Sequence, residues 1–251
     1  MSGIPDDRGG AWPGGVPRRV VSLVPSLTEA IAATDPSVLV GVTDWCTHPA
    51  GLAVPRVGGT KWPDLGRLLE LRPDLVIANA EENREEDVAA LRAAGIPVWV
   101  TAPATVDQAL DCLDRLCAVL EAPGPAWLRR AHEVWADPPV LPAVRAAVPI
   151  WRRPWMVLGR NTFAGDVLAR LGVTNVFADS PDRYPRLPRD APAAVEADLV
   201  VFPDEPYAFT ADDGPEAWPH CRPAFVSGRH LTWYGPSLVE APDVLVGQLA
   251  V

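Results

Sequence analysis

The sequence has no excess of positive charge: 22 Lys and Arg stand against 32 Asp and Glu, a formal net charge of -10. Binding to a phosphate backbone needs a basic face that releases counterions, so nucleic acid is excluded as a natural partner. No run of about 20 apolar residues occurs, so no membrane-spanning helix is expected. The first twenty residues, MSGIPDDRGGAWPGGVPRRV, carry Asp6 and Asp7 where an export signal is basic, and lack an apolar run of about 7–15 residues. With no lipid-attachment cysteine either, the expected location is the cytoplasm. The four cysteines, Cys46, Cys112, Cys117 and Cys221, form no C-x-x-C pair and are read as reduced thiols. Catalytic signatures are missing too. There is no G-x-S-x-G, no H-E-x-x-H and no Walker loop, the GGTK at 58–61 being too short for one, so the chain is not expected to be an enzyme.

What is present is an ordinary globular composition, 48% hydrophobic and 22% charged, enough to bury a sizeable core. Proline is abundant, 29 of 251 residues, but scattered between apolar segments as punctuation. Tryptophan supplies 10 of the 18 aromatics, several beside Pro, Gly or charged residues, which suits a ligand-facing role for some of them.

Short apolar runs alternate with helix-period stretches, the pattern of α/β units around a mostly parallel sheet. The runs in the first half are Val20–Val24, Val38–Val42, Leu75–Ala78 and Val98–Val100. Ser26 with Glu29, Asn83 with Glu86 and Thr105 with Gln108 have capping-box spacing and open three expected helices. The third is the best marked, with Val106, Leu110, Leu113, Leu116, Cys117 and Leu120 on one face before Pro123 and Gly124. Cys112 and Cys117 on this helix read as core.

Residues 126–135 are again helical, and the proline-rich 137–142 reads as a boundary. This divides the chain into an α/β lobe at 16–122, a linker helix and hinge at 123–143, and a second α/β lobe at 144–251. The second set comprises Val148–Trp151, Trp155–Leu158, a helix Gly165–Gly172, Asn175–Phe177, Leu199–Phe202 and Ala224–Ser227. The halves echo each other: LRPDLVIANAEEN (71–83) parallels VEADLVVFPDEPY (195–207), and GIPVWVTA (95–102) parallels CRPAFVSG (221–228).

Ligands of open parallel sheets bind outside the carboxyl ends of the strands. The loops expected there hold 25–28, 44–49, 58–63 and 79–83 in the first half, and 160–163, 180–185, 204–209 and 229–235 in the second. Pro63 suits the first helical position, which places Trp62 at an N-cap where an indole gives the helix nothing. Contact with a ligand explains it, as does packing under a loop. Cys46 and His48 lie two apart on one face of an extended segment and, with Glu81 or Glu82, are a candidate zinc or iron site; the other reading is that they line the crevice. His230, near Trp233 and Tyr234, is either an axial ligand to a macrocycle metal or a hydrogen-bonded histidine. The acidic run EENREED (81–87) reads mostly as a first helical turn, with Glu81 and Glu82 as crevice residues. His132 and His220 carry no functional argument.

PRRVVSLVPSLTEAIAA, VGVTDWCTHP, VGGTKWPDLGRLLELRPDLVIA and GIPVWV resemble the first lobe of the helical-backbone (class III) substrate-binding proteins, a superfamily that includes the vitamin B12-, haem- and ferric-siderophore-binding components of ABC importers. IWRRPWMVLGRNTFAGDVLARLGVTNVF, PDEPYAF and HLTWYG resemble its second lobe, so the likeness covers roughly 18–240. The resemblance implies two Rossmann-like lobes joined by one helix, with a ligand cleft between them. By position it assigns Trp45, His48, Lys61 and Trp62 to first-lobe ligand loops, and Tyr184, Tyr207, Trp233 and Tyr234 to second-lobe ones; Glu82, Glu205 and His230 lie in the same loops.

The reading that follows is a binding protein for a metal chelate, a corrinoid above all, with haem or a siderophore as alternatives, served by an unidentified transporter or cytosolic partner. Two rivals stand beside it. One is a metal-ion binding protein or metalloenzyme built on Cys46 and His48 with Glu81 or Glu82. The other is a crevice that binds a partner chain.

Overall fold

The apolar runs are short, β-branched and apolar at every position, which suits strands covered on both faces rather than one. In the computed structural model, which describes residues 3–250, they form two four-stranded parallel sheets, one in each of two compact units. The first unit comprises Met1–Pro103, Gln108–Ala131 and Tyr234–Pro236; the second comprises Ala104–Asp107, His132–Trp233 and Ser237–Val251. The units are therefore not contiguous in sequence: a three-residue segment from near the C-terminus belongs to the first.

The first unit opens with a small antiparallel pair, β1 (Ile4–Pro5) and β2 (Ala11–Trp12). Its sheet is built from β3 (Val20–Ser22), β4 (Leu39–Val42), β5 (Leu75–Asn79) and β6 (Val98–Thr101) in the order β4-β3-β5-β6. The helices are α1 (Pro25–Thr34), α2 (Leu65–Glu70), α3 (Glu85–Ala93) and α4 (Val106–Val119), whose first two residues count with the second unit. Val21, Leu23, Val76, Ala78, Val98 and Val100 alternate onto one face and pack with Leu68 of α2 and Val88 and Leu91 of α3. The expected apolar face of α4 is wholly buried, Cys112 and Cys117 included. Burial raises both thiol pKa values, that of Cys117 to about 11.

The chain passes from the first unit into the second along α5 (Ala126–Ala136). The second sheet consists of β7 (Val144–Ala147), β10 (Val173–Asn175), β12 (Leu199–Pro203) and β13 (Arg222–Val226) in the order β10-β7-β12-β13. The first sheet has the same topology. The internal echo in the sequence thus falls on corresponding strand pairs, β5 with β6 and β12 with β13, each ending at a sheet edge. Two runs expected in the second parallel set behave differently: β8 (Pro149–Arg152) and β9 (Trp155–Val157) form a hairpin, extended antiparallel by β11 (Arg186–Leu187). Only two residues separate them, too few for a parallel crossover. Helices α6 (Phe163–Arg170), α7 (Gly228–Thr232) and α8 (Ala241–Leu249) complete the unit.

Two expected capping boxes do not form. Val24 and Arg84 occupy the N-cap positions of α1 and α3 without side-chain caps. Ser26 is buried inside α1, and its hydroxyl has no hydrogen-bond partner. Asn83 faces the interior instead, donating to Leu23 O (3.3 Å) and Thr60 O (2.9 Å). Spacing alone does not distinguish a cap from a buried polar residue with a distant partner.

The acidic pair near the N-terminus closes the outer edge of β6. The Asp7 amide donates to Val100 O (2.9 Å), the Val100 amide to Asp6 Oδ2 (3.1 Å) and the Ala102 amide to Asp7 Oδ2 (2.7 Å). Asp6 also accepts from the amides of Arg8 (2.8 Å) and Gly10 (2.6 Å). An unpaired edge exposes ladder groups that seek partners, and these carboxylates occupy them. Replacing Asp6 by Ala leaves the buried Val100 N–H unmatched, an expected loss of about 1–3 kcal/mol in urea unfolding; unchanged stability would show that the hairpin does not support the sheet.

Candidate functional site

Asn79, the last residue of β5, organises the carboxyl edge of the first sheet. Its Oδ1 accepts the amides of Glu81 (2.7 Å) and Glu82 (3.1 Å), and its own amide donates to Asn83 Oδ1 (2.8 Å). Asn83 then holds the 58–62 loop through Thr60 O. The Lys61 ammonium donates to Glu81 O and ties the same two loops together.

The loop after β4 is fixed by Arg56, which donates to Thr43 O (2.9 Å) and Cys46 O (2.8 Å), on either side of Trp45. With Cys46 turned inward, its neighbour Trp45 is turned out and is 65% exposed. Trp62 is 71% exposed. It is not at a helix N-cap: Asp64 caps α2, accepting the Arg67 amide at 3.0 Å, and Pro63 pairs with Gly58 in an isolated bridge. Gly58 has φ +86, and a Cβ there would stand 3.0 Å from Trp62 O, so the turn carrying Trp62 requires glycine. The two loops abut, since the Trp45 Nε1 lies 3.6 Å from the position of a Cβ on Gly59. The first unit therefore presents two outward indoles at its carboxyl edge, with Lys61 and Glu81 exposed beside them and His48 and Glu82 half-buried.

The expected metal site does not assemble. Cys46 is fully buried, with the Thr28 and Thr43 hydroxyls each 3.1 Å from its Sγ, and burial raises its pKa. His48 has its Nδ1 3.2 Å from Thr47 Oγ1. Among the described residues, no three His, Cys, Asp or Glu side chains are grouped to hold a metal ion.

In the second unit, Glu205 follows β12. Its pKa is raised by burial and by Asp204, while a hydrogen bond from Trp233 and the charge of Arg229 oppose the rise. Its Oε1 is buried without a hydrogen-bond partner. The loop lies tight against α7: a Cβ on Gly228 would fall 2.3 Å from Glu205 Cγ, and the Gly228 amide donates to Asp204 Oδ1 (2.6 Å).

The aromatic candidates of the second half are less available than expected. Trp233 is 9% exposed, and Tyr234 is 5% exposed. Tyr234 belongs to the first unit, where its hydroxyl meets Asn79 Nδ2 and Thr101 Oγ1, both at 2.7 Å. It is a buried anchor of the Asn79 network rather than a ligand-loop aromatic, and burial raises its pKa. Tyr207 is half-buried; it donates to Asp213 Oδ2 (2.5 Å) and meets Trp151 edge-on at 5.5 Å. Tyr184 is also half-buried, with the Arg183 guanidinium 6.0 Å from its ring centre. The imidazole of His230 is engaged on both sides: Nδ1 lies 2.8 Å from Ser227 Oγ, and Nε2 lies 3.5 Å from Glu240. Axial ligation would require it to give up one of these contacts.

The second unit also holds a cavity of about 470 Å³, lined by Thr105, Arg160, Asn161, Thr162, Asp166 and Asn175 among others. The loop at 160–163 is expected after a strand, but its polar side chains form no motif. The sequence signal is an asparagine before the Thr162 cap of α6, and Asn161 adopts the left-handed region at φ 52.

No family model matches the chain. In sequence it is similar to the vitamin B12-binding protein of Yersinia pestis (strain Pestoides F), 28% identical over 193 residues that span 73% of this chain and 68% of that one. In fold it is similar to the periplasmic vitamin B12-binding protein of Vibrio cholerae (TM-score 0.76, 21% identity, 93% of this chain and 97% of that one). It is also similar to a periplasmic haem-binding protein in complex with two haems (TM-score 0.74, 26% identity, 94% and 98%). The two-unit α/β fold implied by the sequence resemblance is thus the fold of these solved binding proteins.

The geometry separates surface from support. Trp62→Ala is expected to change unfolding free energy by no more than about 0.5 kcal/mol. Trp233→Ala should lose about 3 kcal/mol, and Tyr234→Phe about 1–2 kcal/mol. Equal losses for all three in chemical denaturation would contradict the division.

A second expectation concerns pH. A carboxyl whose folded pKa lies above its unfolded value, near 4.3, holds its proton more tightly in the native state, so it favours folding less as pH rises through that window. The Glu205→Gln variant lacks this term. Its stability relative to the parent should increase from about pH 4 towards neutrality; a difference that is flat with pH would show that Glu205 titrates normally.

Proposed function

We propose that the protein is a non-enzymatic binding protein for a metal chelate, a corrinoid, haem or ferric siderophore, held by side chains at the carboxyl edge of the first unit's sheet. The observation that carries this reading is the pair of exposed indoles, Trp45 and Trp62, on abutting loops at the edge where parallel sheets receive ligands. A planar macrocycle buries broad apolar faces against such rings at little entropic loss, while the nearby Lys61, Glu82 and His48 offer groups that orient its periphery. The sequence similarity to a vitamin B12-binding protein and the fold shared with B12- and haem-binding proteins support the same class of ligand.

The proposal leaves a transporter or cytosolic partner to receive the chelate. It places the protein in the cytoplasm, in contrast to the periplasmic relatives; recovery from a periplasmic fraction of the native host would overturn that placement.

Titration with cyanocobalamin, haemin and a ferric siderophore, followed by quenching of tryptophan fluorescence, tests the function. At least one should bind. Trp45→Ala and Trp62→Ala should each weaken that binding about tenfold, corresponding to ~1.4 kcal/mol. Saturable binding of none of the three would refute the proposal.

A further inference from the structure

An indole that is 71% exposed has little neighbouring structure to fix its rotamer, and ordering it on binding would subtract from affinity. Arg84 supplies that order in advance. Its guanidinium carbon lies 4.1 Å from the centre of the Trp62 ring. Its nitrogens are engaged by carboxylates: Nε donates to Asp87 Oδ2 (2.8 Å), Nη2 to Asp87 Oδ1 (2.7 Å), and Nη1 lies 2.7 Å from Glu86 Oε1.

The Asp87 carboxylate that grips two of them is nearly buried in the first turn of α3, so the guanidinium is clamped to a helix rather than carried on a loose stem. With its nitrogens so engaged, the guanidinium is fixed with its carbon over the indole ring. Arg84 stands at the N-cap position of α3 and makes no side-chain cap bond; its tie to the helix is the pairing with Glu86 and Asp87.

We propose that Arg84 is a positioning residue that holds the Trp62 indole against α3 in the orientation in which its outer face receives the chelate. The inference rests on the binding reading above and deepens it. It assigns the Glu86–Arg84–Asp87 cluster to the binding surface and gives the ligand one indole face only, the other being covered by the guanidinium. Lysine would keep the charge but lose both the bidentate grip on Asp87 and the flat face.

The test uses full-length protein labelled with 5-fluorotryptophan, with the Trp62 fluorine resonance identified by its absence from Trp62→Phe. Without ligand, Arg84→Ala should move this resonance to the position of a solvated indole, and Arg84→Lys should fail to restore it; the melting temperature should fall as Asp87 loses its bidentate partner, with the protein still folded at the temperature of measurement. With cyanocobalamin or haemin, Arg84→Ala should weaken binding about two- to fivefold. In a Trp62→Ala background the same substitution should add nothing. A Trp62 resonance unmoved by Arg84→Ala overturns the inference, as does an Arg84→Ala effect that persists without Trp62. If neither of these chelates nor a ferric siderophore binds the parent, the functional reading fails, while the ligand-free fluorine spectrum still decides whether Arg84 holds the indole.

Discussion

The carboxyl edge of the first sheet depends on satisfying one buried amide side chain. Asn79 carries both a donor and an acceptor into a place without water, where an unmatched polar group costs about 1–3 kcal/mol. Its oxygen is satisfied by folding the chain back so that the Glu81 and Glu82 amides point at it. Its nitrogen is satisfied by Tyr234 and Thr101, the latter its register partner on β6. Through Asn83 the same constraint reaches Leu23, after β3, and Thr60, in the loop that carries Trp62. Strand-end loops that would otherwise move independently are thereby held to the end of a central strand, and a rigid surface of this kind suits the recognition of a rigid ligand.

The division of the aromatics follows from where the loops find support. Trp45 and Trp62 flank positions whose backbone is held, by Arg56 in one case and by the Gly58 turn in the other, so the rings are free to project. Trp233 and Tyr234 have polar tips with partners inside the fold, Glu205 for one and Asn79 with Thr101 for the other. Aromatics with a polar tip serve two purposes, and the partner of the tip decides which.

Much of this was legible in the sequence. The parallel strands were visible as apolar runs because both faces are covered, and the repeated LRPDLVIANAEEN and VEADLVVFPDEPY segments lie on topologically equivalent strands, β5 and β12. The exposure of each strand-end aromatic was not legible. The contacts that bury Tyr234 join it to residues 155 and 133 positions away in the chain, which no local pattern encodes. Asn83 and Ser26 misled for the same reason, since cap-like spacing says nothing about a partner supplied by another loop. Arg84 was passed over as one member of a charged run, though its position between Trp62 and Asp87 is what gives it a role.

If the indoles at this edge exist to hold a metal chelate, protein taken from its own host should carry one. Native mass spectrometry with an absorption spectrum of such protein is the most direct measurement. The account predicts a one-to-one adduct with the visible bands of a metal chelate, lost or strongly reduced in the Trp45→Ala, Trp62→Ala double variant. Protein that carries no chelate, and gains none when offered cyanocobalamin, haemin or a ferric siderophore, would contradict it.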